Sequence, residues 1–227
     1  MLLSRARLWL GVKCFDSFAW NVARVSQTRL FKGPCESAEL EGLIYVAQHT
    51  SIPVPKVHRT YSSDGRLYIE MEYIHGVTLQ ELRISHSLSP TEKHAIVKQP
   101  PQEGVVASAE LGQLDDARVG YRSFEDCTKV FSESVTQCHT RQYRICFTYA
   151  DLSSRNIIMR DGKIAVIVDW QFAGWYPEYW EYTKAHYGLL NIPDWYTELK
   201  NAVPRNDDEL AAERALWVRL DQPGMWQ

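Results

Sequence analysis

The spacing of hydrophobic and polar residues divides the N-terminal third of the chain into short strands and one helix. Residues 22–32 carry apolar and β-branched side chains around a Ser-Gln-Thr turn, which predicts two strands joined as a hairpin. Between residues 36 and 50 the apolar positions recur every three or four residues, which predicts an amphipathic helix. Residues 51–57 contain two prolines two positions apart and should form a rigid extended connector. Residues 58–74 alternate around Asp64-Gly65, a pair typical of a hairpin turn.

The rest of the chain is mostly helical in its pattern, with one further hairpin. Ser89-Pro90-Thr91-Glu92 has the form of a capping box, so a helix should begin there and end before Pro100-Pro101. Helical spacing returns over residues 123–139 and again over residues 206–220. Residues 156–168 contain two apolar runs separated by Arg-Asp-Gly, which predicts a second hairpin.

Composition narrows the class of protein without identifying a function. The 227 residues are 45% hydrophobic and 23% charged, which excludes disordered, collagen-like and coiled-coil proteins. A net charge of -3 gives little attraction for nucleic acid or an anionic membrane surface. No apolar run approaches the ~20 residues of a membrane span. The five cysteines include no CxxC pair, so we expect a cytoplasmic protein without a zinc site or a disulfide framework.

Three polar side chains are expected to meet at the open end of the second hairpin. In a hairpin centred near Asp161, Asn156 begins the first strand and Asp169 follows the second, so they should be neighbours. Asp151 lies five residues before Asn156 on the incoming loop. Two oxygen-bearing side chains suit Mg²⁺, which takes its remaining ligands from water and phosphates. A separate carboxylate suits the orientation of a hydroxyl nucleophile, so this spacing predicts phosphoryl transfer.

These residues lie in segments that resemble the aminoglycoside phosphotransferase family, a branch of the protein-kinase-like superfamily. TYADLSSRN resembles its catalytic loop, H-G-D-L-x-x-x-N, and IVDW resembles its metal-binding segment. HTSIPVPKV, YIEMEYIHGVTL and QFAGWYPEYWEYTKAHYG resemble phosphotransferase-domain proteins of filamentous fungi. The resemblance implies an α+β, two-lobed protein-kinase-like fold. A small N-lobe sheet plus helix would occupy residues 1–75, with a hinge near residues 71–76. A larger, mostly helical C-lobe over residues 76–227 would carry the catalytic β-hairpin.

The resemblance also implies roles for the three polar residues of the hairpin. Asp151 would be the catalytic base, Asn156 a metal ligand and Asp169 the chief Mg²⁺ ligand. The motif departs from the family at Tyr149-Ala150, which replaces His-Gly. The hydrogen bonds by which that histidine braces the catalytic loop are therefore not predicted here.

Nucleotide contacts are implied in the N-lobe. Lys32, at the end of the second predicted strand, would contact the ATP phosphates, and Glu39 would hold it as an ion pair. Glu41 is the competing carboxylate on the same helix. The loop expected to cover the nucleotide, residues 14–23, contains no glycine, although glycine lets backbone N–H groups approach phosphate closely.

Adenine recognition is implied at the hinge. The segment Met71–Ile74 falls where the family offers backbone N–H and C=O groups to the base. An apolar residue on the catalytic hairpin could form the floor of this pocket. The implied adenine-binding residues are thus Glu72, Tyr73, Ile74, Ile158 and Ile167.

Two classes of function remain open from the sequence. The first is an ATP-dependent phosphotransferase that acts on a hydroxyl of a small molecule, with ATP, Mg²⁺ and an acceptor as its ligands and no nucleic acid or membrane partner. The second is a catalytically weak or inactive kinase-like module that still binds nucleotide. The Tyr149-Ala150 replacement and the glycine-free loop favour the second class. A scaffold that binds no nucleotide would require the metal-site residues to coincide by chance.

Overall fold

The N-terminal part of the chain forms an antiparallel sheet with one helix. The computed structural model describes residues 15, 17–97, 106–107, 133–187 and 193–220. The elements of the N-terminal part are β1 (Ser17–Ala19), β2 (Val22–Arg24), β3 (Arg29–Cys35), α1 (Ser37–His49), β4 (Val57–Ser63) and β5 (Arg66–Glu72). The five strands lie in the order β1-β2-β3-β5-β4. Both predicted hairpins and the predicted helix of this region are confirmed.

The strand that carries Lys32 differs from its prediction. The sequence predicts that this strand ends at Lys32, because the pair Gly33-Pro34 is typical of a break between secondary-structure elements. In the structure β3 continues through both residues to Cys35, with an irregular register after Lys32. The edge strand β1 is not predicted either, since its three residues are too few to show a pattern. Lys32 therefore lies within a strand, and its neighbours across the sheet are Val22 on β2 and Ile69 on β5.

The remaining described residues form two small sheets surrounded by helices. Their elements are β6 (Val77–Thr78), α2 (Leu79–Ile84), α3 (Pro90–Val97), β7 (Val106–Ala107), α4 (Glu133–His139), β8 (Ile145–Thr148), a 3-10 turn (Ser154–Asn156), β9 (Ile157–Arg160), β10 (Lys163–Ile167), β11 (Gly174–Pro177), α5 (Trp180–Ala185), α6 (Pro193–Ala202) and α7 (Asp207–Leu220). The sheets have the strand orders β10-β9-β6 and β11-β8-β7. No helix in the described ranges is long and apolar enough to cross a bilayer.

Local sequence explains where several of these elements begin and turn. The β9–β10 hairpin turns at Asp161 and Gly162, whose φ angles are 52° and 72°. Both residue types tolerate this left-handed conformation. The predicted capping box before α3 is present, because Ser89 and Glu92 exchange side-chain to backbone hydrogen bonds. The helix predicted over residues 123–139 is described only from Glu133 onward, and the part before Glu133 lies outside the described residues.

One hydrophobic core runs through both parts of the chain. It contains side chains from α1 and β5 together with side chains from the catalytic hairpin region. Members with very low exposure include Leu43, Val46, Ile69, Tyr149 and Trp170. Because the two parts share this core, side chains from the N-terminal sheet and from the hairpin are held at fixed distances from one another.

Candidate functional site

A buried lysine joins the N-terminal sheet to the catalytic hairpin. Lys32 Nζ lies 2.6 Å from Glu39 Oε1 on α1 and 2.7 Å from Asp169 Oδ1 after β10. Lys32 and Glu39 are 8% and 1% exposed, whereas one third of the Asp169 side chain is accessible. Glu41, the competing carboxylate, lies on the exposed face of α1. The structure thus brings together three of the residues that the sequence assigns to nucleotide and metal binding.

The electrostatics of this triad keep the lysine charged. Burial alone lowers the pKa of Lys32, but the carboxylates of Glu39 and Asp169 outweigh this effect and raise the pKa above its ordinary value. The same burial raises the pKa of the Glu39 carboxyl, against the attraction of Lys32. The site therefore presents a fixed ammonium group at neutral pH beside an accessible carboxylate.

Asp151 and Asn156 form the second half of the site. Asn156 Nδ2 donates to Asp151 Oδ2 at 2.7 Å and to its backbone carbonyl at 3.1 Å. Arg155 also donates to both carboxylate oxygens, at 3.1 and 3.2 Å. The Val168 N–H donates to the Asn156 carbonyl at 3.0 Å, which ties Asn156 to the residue before Asp169. The open end of the hairpin therefore gathers the three polar residues as the sequence predicts.

The Asp151 carboxyl is better suited to accept a proton than an ordinary aspartate. Burial raises its pKa, although the Arg155 guanidinium and the Asn156 amide counteract this effect. A base with a higher pKa accepts a proton more readily, as long as it stays ionised at the working pH. The side chain is 18% exposed, so its carboxylate remains accessible from solvent.

Two residues of the site adopt a left-handed backbone conformation. The φ angles of Ala150 and Asp169 are 62° and 65°. This conformation is uncommon for residues other than glycine, and it clusters at functional sites. The position of Ala150 is the one at which the family motif has glycine. Glycine adopts a positive φ without a steric cost, whereas alanine adopts it here at some cost.

Tyr149 braces the catalytic loop in place of the family histidine. Its hydroxyl donates to the Val168 carbonyl at 2.5 Å, and its ring is 1% exposed. Burial raises the pKa of this phenol well above its usual range, so the hydroxyl keeps its proton. The bond connects the residue two positions before Asp151 with the residue before Asp169. The bracing that the sequence does not predict is therefore supplied by a different side chain.

Glu181, on α5, contacts the loop that precedes Asp151, and the sequence did not predict this contact. Its Oε2 accepts hydrogen bonds from the backbone N–H groups of Tyr149 and Ala150, at 2.8 and 3.1 Å. The residue is 1% exposed, and burial raises the pKa of its carboxyl to about 7. In the sequence it is one of two glutamates in an aromatic segment. Nothing in a local pattern shows which of the two lies behind the catalytic loop.

The predicted hinge offers fewer backbone donors than expected. The N–H of Glu72 donates to Lys56 O at 2.9 Å, and that of Tyr73 donates to Thr28 O at 3.0 Å. Two of the backbone donors in the predicted hinge are therefore engaged within the protein, and its contact with adenine stays a prediction.

The two apolar residues proposed for the pocket floor differ in accessibility. Ile158 is half-buried, and its methyl group lies against the backbone of Gly76, just after the hinge. Ile167 is 2% exposed and belongs to the core. Ile158 is thus the better placed of the two to touch a ligand.

The described part of residues 14–23, the segment expected to cover the nucleotide, contains β1, the start of β2 and the tight turn between them, whereas residues 14 and 16 lie outside the described residues. The Gly33 N–H donates to the Asn21 carbonyl at 2.8 Å, and Val22 pairs with Lys32 across the sheet. Trp20 stands at the turn with 82% of its surface exposed. The turn therefore lies beside the strand position of Lys32, although it has no glycine.

The oxygen donors at the open end fit a hard cation. With Nδ2 of Asn156 donating to Asp151, its Oδ1 is the side-chain atom left to bind a cation, alongside the accessible carboxylate of Asp169. Among the residues that the structure describes, no three His, Cys, Asp or Glu side chains converge as a metal cage. One carboxylate and one amide oxygen match the way Mg²⁺ binds when phosphates and water complete its coordination.

Solved structures share the fold of this chain. An ADP-bound aminoglycoside phosphotransferase, APH(2'')-Ib, aligns with a TM-score of 0.60 and 14% identity, over 93% of this chain and 84% of that chain. An aminoglycoside phosphotransferase from Streptomyces rimosus, APH(3'')-Id with ADP and streptomycin, aligns with a TM-score of 0.57 and 14% identity, over 100% of this chain and 99% of that chain. The choline kinase LicA from Streptococcus pneumoniae aligns with a TM-score of 0.51 and 11% identity, over 97% of this chain and 89% of that chain. These similarities confirm the predicted α+β, protein-kinase-like fold.

A family comparison adds a match at the level of sequence. No curated protein is similar enough to the chain to match it. The profile described as the phosphotransferase enzyme family matches residues 36–202, which is more than half of the chain and includes α1 and the β9–β10 hairpin. The chain therefore belongs to the phosphotransferase enzyme family.

Proposed function

We propose that the protein is an ATP-dependent phosphotransferase that transfers the terminal phosphoryl group of ATP to a hydroxyl of a small molecule. The observation that carries this proposal is the ammonium of Lys32, held between Glu39 and Asp169. Asp151 and Asn156 hydrogen-bond to each other at the same hairpin end. Phosphoryl transfer is catalysed mainly by positioning and charge stabilisation, and this arrangement supplies both.

In this proposal the N-terminal sheet holds the nucleotide. Adenine would lie at the hinge, against Ile158, with hydrogen bonds to Ile74 N–H and to neighbouring carbonyls. Lys32 would meet the phosphates with its ammonium group, because the raised pKa keeps it charged. Glu39 would fix the direction of that ammonium from the buried side.

The hairpin end would hold the metal and the acceptor. Asn156 and Asp169 would bind Mg²⁺, which when bound would neutralise charge on the phosphate oxygens. Asp151 would accept a hydrogen bond from the acceptor hydroxyl, orient it toward the phosphate and receive its proton. Tyr149 and Glu181 would keep the loop that carries Asp151 in place from behind.

The comparisons support the choice of acceptor class without naming the compound. The structures that share this fold include enzymes whose names refer to aminoglycosides and to choline. Both are hydroxyl-bearing small molecules. We further propose that this chain is of the fungal phosphotransferase-domain type, because the segments HTSIPVPKV and WYPEYWEYTKAHYG resemble those proteins.

Two substitutions test this function separately. ATP consumption is measured across a panel of amino-sugars, choline and other hydroxyl compounds. Asp151→Asn should keep ATP·Mg²⁺ affinity and lower turnover by ~10²–10⁴-fold, because asparagine keeps the shape and loses the proton acceptor. Asp169→Ala should abolish the Mg²⁺ dependence of nucleotide binding. Asp161→Asn, at the exposed turn of the same hairpin, is the control and should change neither quantity.

A second candidate function is a catalytically weak module that binds nucleotide. The observation that favours it is the engagement of both Asp151 carboxylate oxygens by Arg155 and Asn156. Under this alternative the wild type binds ATP·Mg²⁺ but consumes none across the panel. Arg155→Ala, which releases the carboxylate on its exposed side, should then leave the protein inactive. A wild type that binds no nucleotide would contradict both functions.

A further inference from the structure

The helix that carries Glu39 lies unusually close to the segment that follows Asp169. Gly42 is buried on α1. A Cβ atom built on it would lie 3.0 Å from Ala173 Cβ, 3.3 Å from the Trp170 carbonyl oxygen and 3.5 Å from Trp170 Cβ. The first two distances are tighter than ordinary van der Waals contact, and the third is ordinary contact. The helix backbone therefore packs directly on the turn formed by residues 170–173.

This turn is itself rigid. Trp170 is 1% exposed, and its indole N–H donates to the Ile167 carbonyl at 2.9 Å. The Ala173 N–H donates to the Trp170 carbonyl at 3.0 Å. Trp170 directly follows Asp169 in the sequence. The surface against which Gly42 packs is thus covalently continuous with one of the two carboxylates that hold Lys32.

The other carboxylate lies on the same face of the helix as Gly42. Glu39, Gly42 and Tyr45 are spaced three residues apart on α1, so they lie on one side of it. The Tyr45 ring packs at 4.2 Å from the Phe147 ring and at 5.5 Å from the Trp175 ring, measured between centroids. One face of α1 therefore carries, in order, the ion-pair partner of Lys32, a close backbone contact and an aromatic contact with β8 and β11.

We propose that Gly42 is a positioning residue for the Lys32 triad. The missing side chain lets α1 approach the 170–173 turn closely enough for Glu39 and Asp169 to hold the same ammonium group. Tyr45 secures this approach one turn further along the helix. The consequence for ATP rests on the function proposed above, whereas the positioning of Lys32 does not.

Helix propensity alone predicts that substituting Gly42 is favourable, whereas the close contact predicts that it is harmful. Alanine and leucine form helices better than glycine, so either residue would strengthen an isolated α1. The close contact predicts instead that each side chain pushes α1 away from the turn and moves Glu39 from Lys32. Leucine should displace the helix further than alanine.

Chemical labelling of Lys32 measures this displacement without any nucleotide. The full chain is treated with acetic anhydride, and the acetylation rate of each lysine is followed by mass spectrometry. In the wild type Lys32 should react slowly, since it is 8% exposed and its ammonium pairs with two carboxylates. The rate should rise several-fold in Gly42→Ala and further in Gly42→Leu. It should return toward the wild-type value in the double variant Gly42→Ala with Ala173→Gly.

Controls separate positioning from general loss of structure. Glu41→Ala changes the exposed face of the same helix and should leave Lys32 labelling unchanged. Lys184, which is half-buried on α5 beside Trp180, reports on the rest of the fold in the same sample. Equal acceleration at Lys184 and Lys32 would mean global opening and would overturn the proposal, as would unchanged Lys32 labelling in Gly42→Ala. If Gly42→Leu does not fold, the alanine variant and its rescue decide the outcome.

Nucleotide binding forms the second arm of the test. By titration calorimetry the Gly42 variants should bind ATP·Mg²⁺ more weakly than the wild type, and the double variant should recover. In a Lys32→Met background, Gly42→Ala should have no further effect on affinity, because both changes act through the same ammonium group. A wild type that binds no ATP would overturn the proposed function, while the labelling result would still decide the role of Gly42.

Discussion

Replacing Glu181 with glutamine should change how the stability of the protein depends on pH. The Glu181 carboxylate is fully buried behind the catalytic loop and accepts two backbone hydrogen bonds through Oε2. Its other oxygen has no hydrogen-bond partner among the described residues. Burial outweighs the hydrogen bonds and raises the pKa of the group from 4.5 to about 7 in the folded protein. Glutamine keeps the size and one accepting oxygen, and it removes the titratable proton.

The sign of the effect follows from proton linkage. Between its unfolded and folded pKa values, Glu181 is ionised in the unfolded chain and protonated in the folded protein. The unfolded state then binds fewer protons, so the free energy of unfolding falls as pH rises from 4.5 to about 7 and levels off above. One pKa unit is worth about 1.4 kcal/mol, so Glu181 alone should remove roughly 2–3 kcal/mol of stability between about pH 5 and about pH 8.

Urea unfolding of the wild type and Glu181→Gln across this pH range measures the effect. The amide of glutamine adds a constant cost at all pH values, because it leaves a buried donor without a partner. Only the difference in slope between the two proteins is therefore informative. The variant should gain stability over the wild type by roughly 2–3 kcal/mol on going from about pH 5 to about pH 8. Infrared spectroscopy should show a protonated carboxyl band near pH 6 that is missing in the variant. Parallel stability profiles for the two proteins would refute the argument.

Three further predictions test other contacts of the site. Lys32→Met should weaken ATP affinity strongly, as measured by calorimetry, and Glu39→Gln should weaken it less, because Glu39 only positions the Lys32 ammonium group. If Glu41→Gln weakens ATP binding and Glu39→Gln does not, the wrong carboxylate was chosen. Tyr149→Phe should cost about 1–3 kcal/mol of unfolding free energy, since it leaves the Val168 carbonyl without its donor, and an unchanged urea midpoint would argue against that bond. Ala150→Gly should stabilise the protein by up to about 1 kcal/mol, because φ is 62° there and glycine removes the steric cost; a loss of stability would contradict this reading of the backbone.

The elements that the sequence predicts well are those specified by neighbouring residues. Asp64-Gly65 and Asp161-Gly162 each supply a left-handed turn between alternating strands, so both hairpins are encoded locally. The helix of residues 37–49 has a clear apolar period. In contrast, β8 and β11 have four residues each and pair across 25 intervening positions. Nothing within either segment indicates its partner.

The site divides in the same way. The meeting of Asn156 with the residues before Asp169 follows from hairpin geometry, and the ion pair of Lys32 with Glu39 follows from family resemblance. Glu181 could not be identified, because its role depends on burial behind a loop that lies about 30 positions earlier in the chain. The sequence does not indicate the proposed role of Gly42 either, since a glycine within a helix is normally only unfavourable for helix stability.

The departures from the family motif do not by themselves indicate an inactive protein. Tyr149 replaces a histidine yet connects the loop before Asp151 to Val168, and Ala150 adopts a positive φ angle, a conformation that favours glycine. Asp151 is restrained by Asn156 and, on its exposed side, by Arg155, whose side chain is 55% exposed. An ion pair so accessible to water contributes only about 0–1 kcal/mol, so an acceptor hydroxyl can displace it at little cost. Because the loop is braced by Tyr149 and the contact with Arg155 is weak, these departures are compatible with the phosphotransferase activity proposed above.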